Sequence, residues 1–221
     1  MPTAMITGAA GGLGTALADA LAPTHTLLLA GRPSPRLDRV AERLGATTWP
    51  MDLGDPDSLP AVVETIDALD VLIHNAGVAY PGRVAESNVD EWRATMAVNV
   101  IGPVALTLEL LPALRAAAGQ VVFINSGAGI NASPGLASYS ASKFALRGFA
   151  DSLRNDEPSL RVLSVHPGRI ATAMQEDLIA YEGREYDPHQ FLSPQTVARL
   201  TADAINAPAD ADVREIVIRP R

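Results

Sequence analysis

Seven short apolar runs alternate with six longer stretches that carry apolar residues at helical spacing, and this rhythm constrains the fold more than any other feature of the chain. The runs are "TAMITG" (3–8), "HTLLLAGR" (25–32), "TTWPMD" (47–52), "LDVLIHNAG" (69–77), "QVVFINS" (120–126), "LRVLSVHPG" (160–168) and "REIVIRP" (214–220). They are continuously apolar rather than alternating, as parallel strands covered on both faces must be. The third is weak, because Pro50 has no N–H to give to a ladder. Residues 13–21, 34–44, 57–68, 88–117, 139–156 and 194–206 suit crossover helices, with Asp55-Pro56 as N-cap and first-turn proline before the third. Strand–helix alternation at this spacing predicts a doubly wound α/β fold, a Rossmann-type seven-stranded parallel sheet with helices on both faces. Ligands of such sheets bind beyond the carboxyl ends of the strands.

The 221 residues suffice for one domain, 1–221, and are few for two. Seventeen Lys and Arg against 25 Asp and Glu give a formal charge of −8, with no basic stripe, which argues against a nucleic-acid or anionic-membrane partner. The longest apolar segment, 98–114, is interrupted by Gly102, Pro103, Glu109 and Pro112 and reads as too broken to span a bilayer. No signal peptide is read at the N-terminus, and the lack of cysteine fits a reducing, cytoplasmic setting while excluding disulfides and thiolate metal sites. No His/Asp/Glu cluster has metal-ligand spacing, so no metal is expected.

The first strand runs through "TGAAGGLG" directly into a helix. Glycine permits a sharp turn and close approach to a ligand, and the helix N-terminus offers unpaired N–H groups to a pyrophosphate. Thr7, Gly8, Gly11, Gly12, Leu13 and Gly14 are therefore candidate cofactor-binding residues, although a tight turn needs glycine without any ligand. After the second strand, where an acid would bind the ribose hydroxyls of NAD, stands Arg32. A guanidinium suits a 2′-phosphate, so NADP(H) is expected over NAD(H), with NAD(H) still open. Asp52, with Leu53 after it, either meets an adenine or caps a turn in "DLGDPD"; the two readings stand level. In "HNAG", Asn75 can bond backbone, Ala76 and Gly77 allow close approach to a sugar, and His74 reads as structural.

Tyr139 precedes Lys143 by four residues, so both share one helix face. A free phenol has a pKa of about 10, and a neighbouring ammonium should draw it toward working pH and fit it to donate and accept a proton. Ser126 closes the fifth strand at the carboxyl edge of the sheet, where that helix begins. A Tyr–Lys pair alone is more often a surface feature.

Together these motifs resemble the short-chain dehydrogenase/reductase family: "TGAAGGLG", "HNAG", Asn99 in "NVIG", Ser126 in "INSGAG", "YSASK" and "PGRIAT", in the family's order from about residue 3 to 172. The resemblance implies that Tyr139 is the general acid/base and that Lys143 lowers its pKa and holds the nicotinamide ribose. It implies that Ser126 stabilises charge on the substrate oxygen and that Asn99 holds a water linking Lys143 to solvent. It further implies that Pro167, Gly168, Ile170 and Thr172 clamp the nicotinamide carboxamide, while Asn75, Ala76 and Gly77 flank the adenosine side. His74 replaces the usual first Asn of the fourth-strand motif, and no basic residue precedes Gly12, so Arg32 alone carries the NADP(H) expectation.

The implied activity is hydride transfer between NADP(H) and a small carbonyl or alcohol. A dinucleotide-sensing regulator on the same fold is the alternative, and the presence of all four of Asn99, Ser126, Tyr139 and Lys143 speaks against it. Epimerisation or dehydration of sugars would need a larger C-terminal substrate domain. Residues 173–192 are the expected substrate-binding segment, and Tyr80, Ala128, Ile130, Met174 and residues 178–186 point to apolar or aromatic carbonyl compounds. A homodimer or homotetramer through the helices at 88–117 and 139–156 is a further implication of the resemblance.

Overall fold

The structure is a computed structural model that describes residues 1–208 and 210–221. Its strands are β1 (Thr3–Thr7), β2 (Thr26–Gly31), β3 (Thr47–Pro50), β4 (Val71–His74), β5 (Gln120–Ile124), β6 (Arg161–Pro167) and β7 (Glu215–Ile218). All pair in parallel, in the order β3-β2-β1-β4-β5-β6-β7. The first crossovers run outward from β1 to β2 and β3, and the chain then returns to place β4 on the other side of β1. This reversal opens a crevice at the carboxyl ends of β1 and β4. Pro50 sits at the end of β3, an edge strand, where its missing N–H leaves no ladder bond unmade.

Helices α1 (Gly12–Leu21), α2 (Pro35–Leu44) and α8 (Pro194–Ile205) cover one face. Their apolar sides join Ala4, Ile6, Ile73, Val122 and Val165 in one core. Helices α3 (Leu59–Val63), α4 (Val89–Met96), α5 (Gly102–Ala116) and α6 (Ala137–Asp156) lie over the other. There Met5, Leu72, Val121 and Phe123 meet Leu106, Leu110, Leu146 and Ala150. Successive strand residues serve opposite cores, which is why the strands read as unbroken apolar runs.

Two elements depart from the sequence expectation. The helix expected over 57–68 shrinks to a 3₁₀ turn, Pro56–Ser58, and the single turn and a half of α3. The β-branched run Val62, Val63, Thr65, Ile66 gives little intrinsic support for continuing it. Conversely, the segment left without structure after Thr172 contains a nine-residue helix, α7 (Ala173–Tyr181).

The long helix expected at 88–117 is continuous but not uniformly α. Asn88 caps it, its side chain accepting from Glu91 N–H at 2.9 Å. A π turn, Ala97–Ile101, then separates α4 from α5. The combined rod, Val89–Ala116, is long and apolar enough to cross a membrane by length and composition, contrary to the sequence reading of 98–114. Half of its most apolar window is buried against the sheet and α6, and this packing accounts for its apolarity.

Candidate active site

The glycine-rich turn leaves β1 with Gly8 at φ +65°, in the left-handed region that glycine adopts without strain. A Cβ on Gly14 would lie 2.2 Å from the Gly8 carbonyl oxygen, so this glycine serves the turn's own packing. A Cβ on Gly12 would lie 3.1 Å from Thr172 Cγ2, which places the "PGRIAT" loop directly against the turn. Gly11, the N-cap of α1, has no side chain to pair with the first N–H groups of the helix. Leu13 is buried beneath the turn.

Thr7 and Asn75 stitch the turn to β4. Thr7 Oγ1 donates to the Ile73 carbonyl (3.2 Å) and accepts from the N–H groups of Asn75 (3.0 Å) and Ala76 (3.1 Å). Asn75 Nδ2 donates to the carbonyls of Thr7 (2.9 Å) and Gly8 (3.2 Å). Both side chains frame the crevice, and neither amide proton of Asn75 is left over. Gly77 opens the floor: a Cβ there would approach Asn99 Oδ1 at 3.3 Å and Lys143 Nζ at 3.8 Å.

At the end of β2, Arg32 is exposed, with Arg36 and Arg39 on the following helix also exposed. Among the described residues none of the three has an acidic partner, whereas Arg43 pairs with Asp19 at 2.6 Å. Asp52 Oδ1 accepts the Gly54 N–H at 2.8 Å, so the turn-capping reading of this residue is realised. Leu53 is buried behind it, and its carbonyl would sit 2.3 Å from a Cβ on Gly102.

Asn99 stands within the π turn and is fully buried. Its Nδ2 donates to the Val78 carbonyl (2.9 Å) and to Ser142 Oγ (3.0 Å), while Oδ1 accepts the Val78 N–H (2.8 Å). Ser142 in turn donates to the Tyr139 carbonyl at 2.7 Å. Pro103 lacks the N–H that an α-helix would pair with the Asn99 carbonyl four residues earlier. Asn99 thus ties the fourth-strand loop to the first turn of α6.

Ser126, two residues beyond β5, is held from three directions. Its N–H donates to Asn125 Oδ1 (2.8 Å), its carbonyl accepts the Gly129 N–H (3.0 Å), and its Oγ accepts the Ala128 N–H (3.1 Å). A hydroxyl oriented by an accepted bond keeps its own proton to donate. The Tyr139 phenol lies close enough to this hydroxyl for Ser126 to favour its ionised form. Lys143 is 96% buried by the measure of its 4% exposure, its Nζ donating to the Ile124 carbonyl at 2.9 Å and lying 5.6 Å from the centre of the Tyr139 ring. The three groups expected to act together therefore do meet at the end of β5.

Their protonation differs from the expectation in one respect. Burial pushes the Tyr139 phenol above its usual value, only partly offset by the Ser126 hydroxyl, and Lys143 does not draw it down. The same burial lowers the Lys143 ammonium from 10.5 to about 8. Desolvation penalises each charged form, and it is the largest influence on both groups. At neutral pH Tyr139 is a phenol, ready to give a proton.

On the remaining wall, Gly168 N–H donates to the Ile218 carbonyl (2.7 Å), following Pro167. Ile170 pairs with Leu192, and Thr172 Oγ1 donates to the Ile170 carbonyl (3.3 Å). Arg169 and Arg184 both grip Glu182 just beyond α7, which fastens the 173–192 segment to this loop.

The profile of the short chain dehydrogenase family matches residues 2–183. The chain belongs to the short-chain dehydrogenase family. It is 37% identical over 199 residues to Dehydrogenase/reductase SDR family protein 7-like of Drosophila melanogaster, with 82% of this chain and 61% of that protein aligned. It is 35% identical over 223 residues to Dehydrogenase/reductase SDR family member 7B of Mus musculus, covering 91% of this chain and 69% of the relative. The chain thus spans about three fifths to two thirds of these relatives' length. Among solved structures, an alcohol dehydrogenase from the archaeon Thermococcus sibiricus complexed with 5-hydroxy-NADP superposes with a TM-score of 0.89 at 25% identity, over 100% of this chain and 97% of that one.

Two residues near the site, Asn125 and His166, escaped sequence reading, while His74 is structural as the sequence suggested. Asn125 orients Ser126 and also donates from Nδ2 to the Lys143 carbonyl at 3.2 Å; its position directly before the serine was the available signal. His166 of β6 contacts the Ser126 carbonyl, a pairing across 40 residues with no local signature. His74 proves fully buried, stacked on Phe123 at 5.0 Å with Nε2 2.8 Å from Thr107 Oγ1. Burial holds its pKa near 3, which keeps it neutral and structural, as its place beside Lys143 requires.

Proposed function

We propose that this short-chain oxidoreductase uses NADP(H) to interconvert a small carbonyl compound and its alcohol, with Tyr139 as general acid/base. The observation that carries the reading is Lys143. A buried ammonium has three protons to place, and Ile124 takes one. Two remain for acceptors that the described residues do not supply, and the vicinal hydroxyls of a nicotinamide ribose fit that need. Gly77 leaves the approach to Nζ open, and the glycine turn with the uncapped start of α1 suits a pyrophosphate. Arg32, Arg36 and Arg39, without acidic partners among the described residues, favour a cofactor carrying a 2′-phosphate over NAD(H), which the same crevice would admit more weakly.

The cofactor supplies the hydride; the chain supplies position and protons. Ser126 donates its free proton to the substrate oxygen and fixes it beside Tyr139. As negative charge gathers on that oxygen, the phenol delivers its proton, and Lys143 stabilises the phenolate left behind. The ammonium of Lys143 would supply the proton that restores Tyr139 and recover its own from solvent through a water held at Asn99. Pro167, Gly168, Ile170 and Thr172 would hold the carboxamide end. Residues 173–192 would close over the substrate, where Tyr181 packs on Gly135 and Tyr186 stacks on Phe191 at 5.7 Å. These rings suit apolar or aromatic substrates.

A panel of aliphatic and aromatic aldehydes and ketones with NADPH and NADH, followed by cofactor absorbance, tests the proposal. Turnover is expected with NADPH, and Tyr139→Phe should lower it by about 10²–10⁴ while NADPH still binds. A Tyr139→Phe protein within a few-fold of wild type would refute the assignment.

A further inference from the structure

The support beneath Ser126 contains a conflict over one proton. His166 lies near the end of β6 with its side chain wholly buried, facing α6. Nδ1 is 3.2 Å from the Ser126 carbonyl oxygen. Nε2 is 3.0 Å from Glu215 Oε1, off the line of a good hydrogen bond, and has no other partner. A carbonyl and a carboxylate both only accept. A neutral imidazole has one N–H. Whichever nitrogen carries it, the other turns a lone pair toward an oxygen.

We propose that Ser126 and Glu215 compete for the single proton of His166, and that His166 is a positioning residue for the serine. This rests on the role given to Ser126 above. With the proton on Nδ1, His166 joins Gly129 in holding the Ser126 carbonyl, and Glu215 turns to Arg147 of α6, whose guanidinium is 3.6 Å away. With it on Nε2, Glu215 is satisfied and the serine loses one anchor. A second proton on the ring closes both contacts. The charged groups facing the ring are Glu215 of β7, Arg219 just after it and Arg147 from α6, and Arg219 also donates to the His166 carbonyl at 2.7 Å. Burial and the two arginines resist the second proton, while Ser126 and Glu215 favour it, so the contest is sharpest at neutral and alkaline pH.

Nitrogen-15 spectra of the cofactor-free protein read the tautomer directly, and four histidines make assignment simple. In the wild type both tautomers are expected near neutrality. In Glu215→Gln, where the amide can offer Nε2 either an N–H or a carbonyl, Ser126 alone decides and the Nδ1–H form should dominate. In turnover, kcat of Glu215→Gln relative to wild type should be about two- to five-fold at about pH 8 and approach one on acidification, as one hydrogen bond allows. His166→Leu should lose about tenfold in kcat, and His166→Asn, whose amide lies where Nδ1 does, should recover most of it. One unchanging tautomer in both proteins, or an Asn variant as impaired as the Leu variant, would overturn the proposal. The expected spectra from a protein without reductase turnover would uphold the competition and overturn the proposed function instead.

Discussion

Replacing Lys143 by methionine should make the protein more stable and useless. The ammonium is held at about 8 against an ordinary 10.5, a difference of 2.5 that arises from burial. Each unit corresponds to 1.36 kcal/mol, so carrying the charged amine costs the folded state about 3 kcal/mol at neutral pH. Methionine has a similar length, fills irregular space and has no charge to desolvate. It forfeits the bond from Nζ to the Ile124 carbonyl, about 1 kcal/mol. The net gain is about 2 kcal/mol, or a rise in Tm of about 4–8 °C for a domain of this size.

The pH dependence identifies the cause. A lysine with a depressed folded pKa binds fewer protons folded than unfolded between about 8 and 10.5, so wild-type stability rises across that window relative to the variant. The penalty is complete below about pH 8 and gone above about pH 10.5. Urea unfolding of both proteins at about pH 6.5, 9 and 11 should show the advantage of Lys143→Met shrinking and, at the highest pH, reversing by about the value of the lost hydrogen bond. A variant less stable than wild type at pH 6.5, or an advantage independent of pH, would refute the claim that this lysine is stored at a cost. Saturating NADPH should narrow the gap in favour of wild type, because the cofactor binds only the lysine form well.

Arg32→Ala should weaken NADPH binding by about ten- to a hundred-fold and NADH binding little, in a fluorescence titration; an equal loss for both would remove the 2′-phosphate assignment. Gly102→Ala would drive a Cβ to 2.3 Å from the Leu53 carbonyl, backbone against backbone, and should destabilise by about 1–3 kcal/mol or more in urea unfolding, with an unperturbed stability contradicting the close packing of the π turn on the β3 loop. Ile101 and Leu108 of the long helix are at least half exposed, and Phe144 of α6 is 44% exposed, so light scattering after size exclusion should give a dimer or tetramer, and a monomer at micromolar concentration would end that expectation.

The sheet was legible because burial on both faces leaves a one-dimensional trace: unbroken apolar runs at regular intervals. The meeting of Ser126, Tyr139 and Lys143 was legible for a related reason. A residue at the carboxyl end of a strand and two on the next crossover helix must converge. What required coordinates was depth. The i,i+4 spacing of Tyr139 and Lys143 announces a Coulombic attraction but not the dielectric in which it acts, and desolvation reversed the expected sign for the phenol. Helix α7 was hidden because its apolar residues serve a small local interface rather than the main core; Gln175 and Ile179 are its buried positions. His166 meets the Ser126 carbonyl through a contact across 40 residues that no local pattern encodes.

The side chains around the crevice divide by hydrogen-bonding capacity, and the division separates frame from chemistry. Both amide protons of Asn75 and of Asn99 are spent on protein acceptors, and Thr7 both donates and accepts. Such groups have little left for a ligand, and their removal should loosen the crevice rather than alter a proton transfer. Among the described residues Lys143 has two protons unplaced and Arg32 its whole guanidinium, while the Ser126 hydroxyl faces the Tyr139 phenol. A buried polar group left wanting partners, as Lys143 is, is unfavourable to the fold and persists where a ligand completes it. The same reasoning ranks Asn99 as support for α6 and Lys143 as a contact for the cofactor. Asn99→Asp should expose the difference: it removes the donors to Val78 and Ser142 and sets a carboxylate near a lysine that now has no counter-charge. Lys143 should then hold its proton more firmly, its apparent pKa rising from about 8 toward the ordinary 10.5, while the frame loosens. A variant in which stability falls but the titration of Lys143 stays near 8 would show that the two roles are not divided in this way.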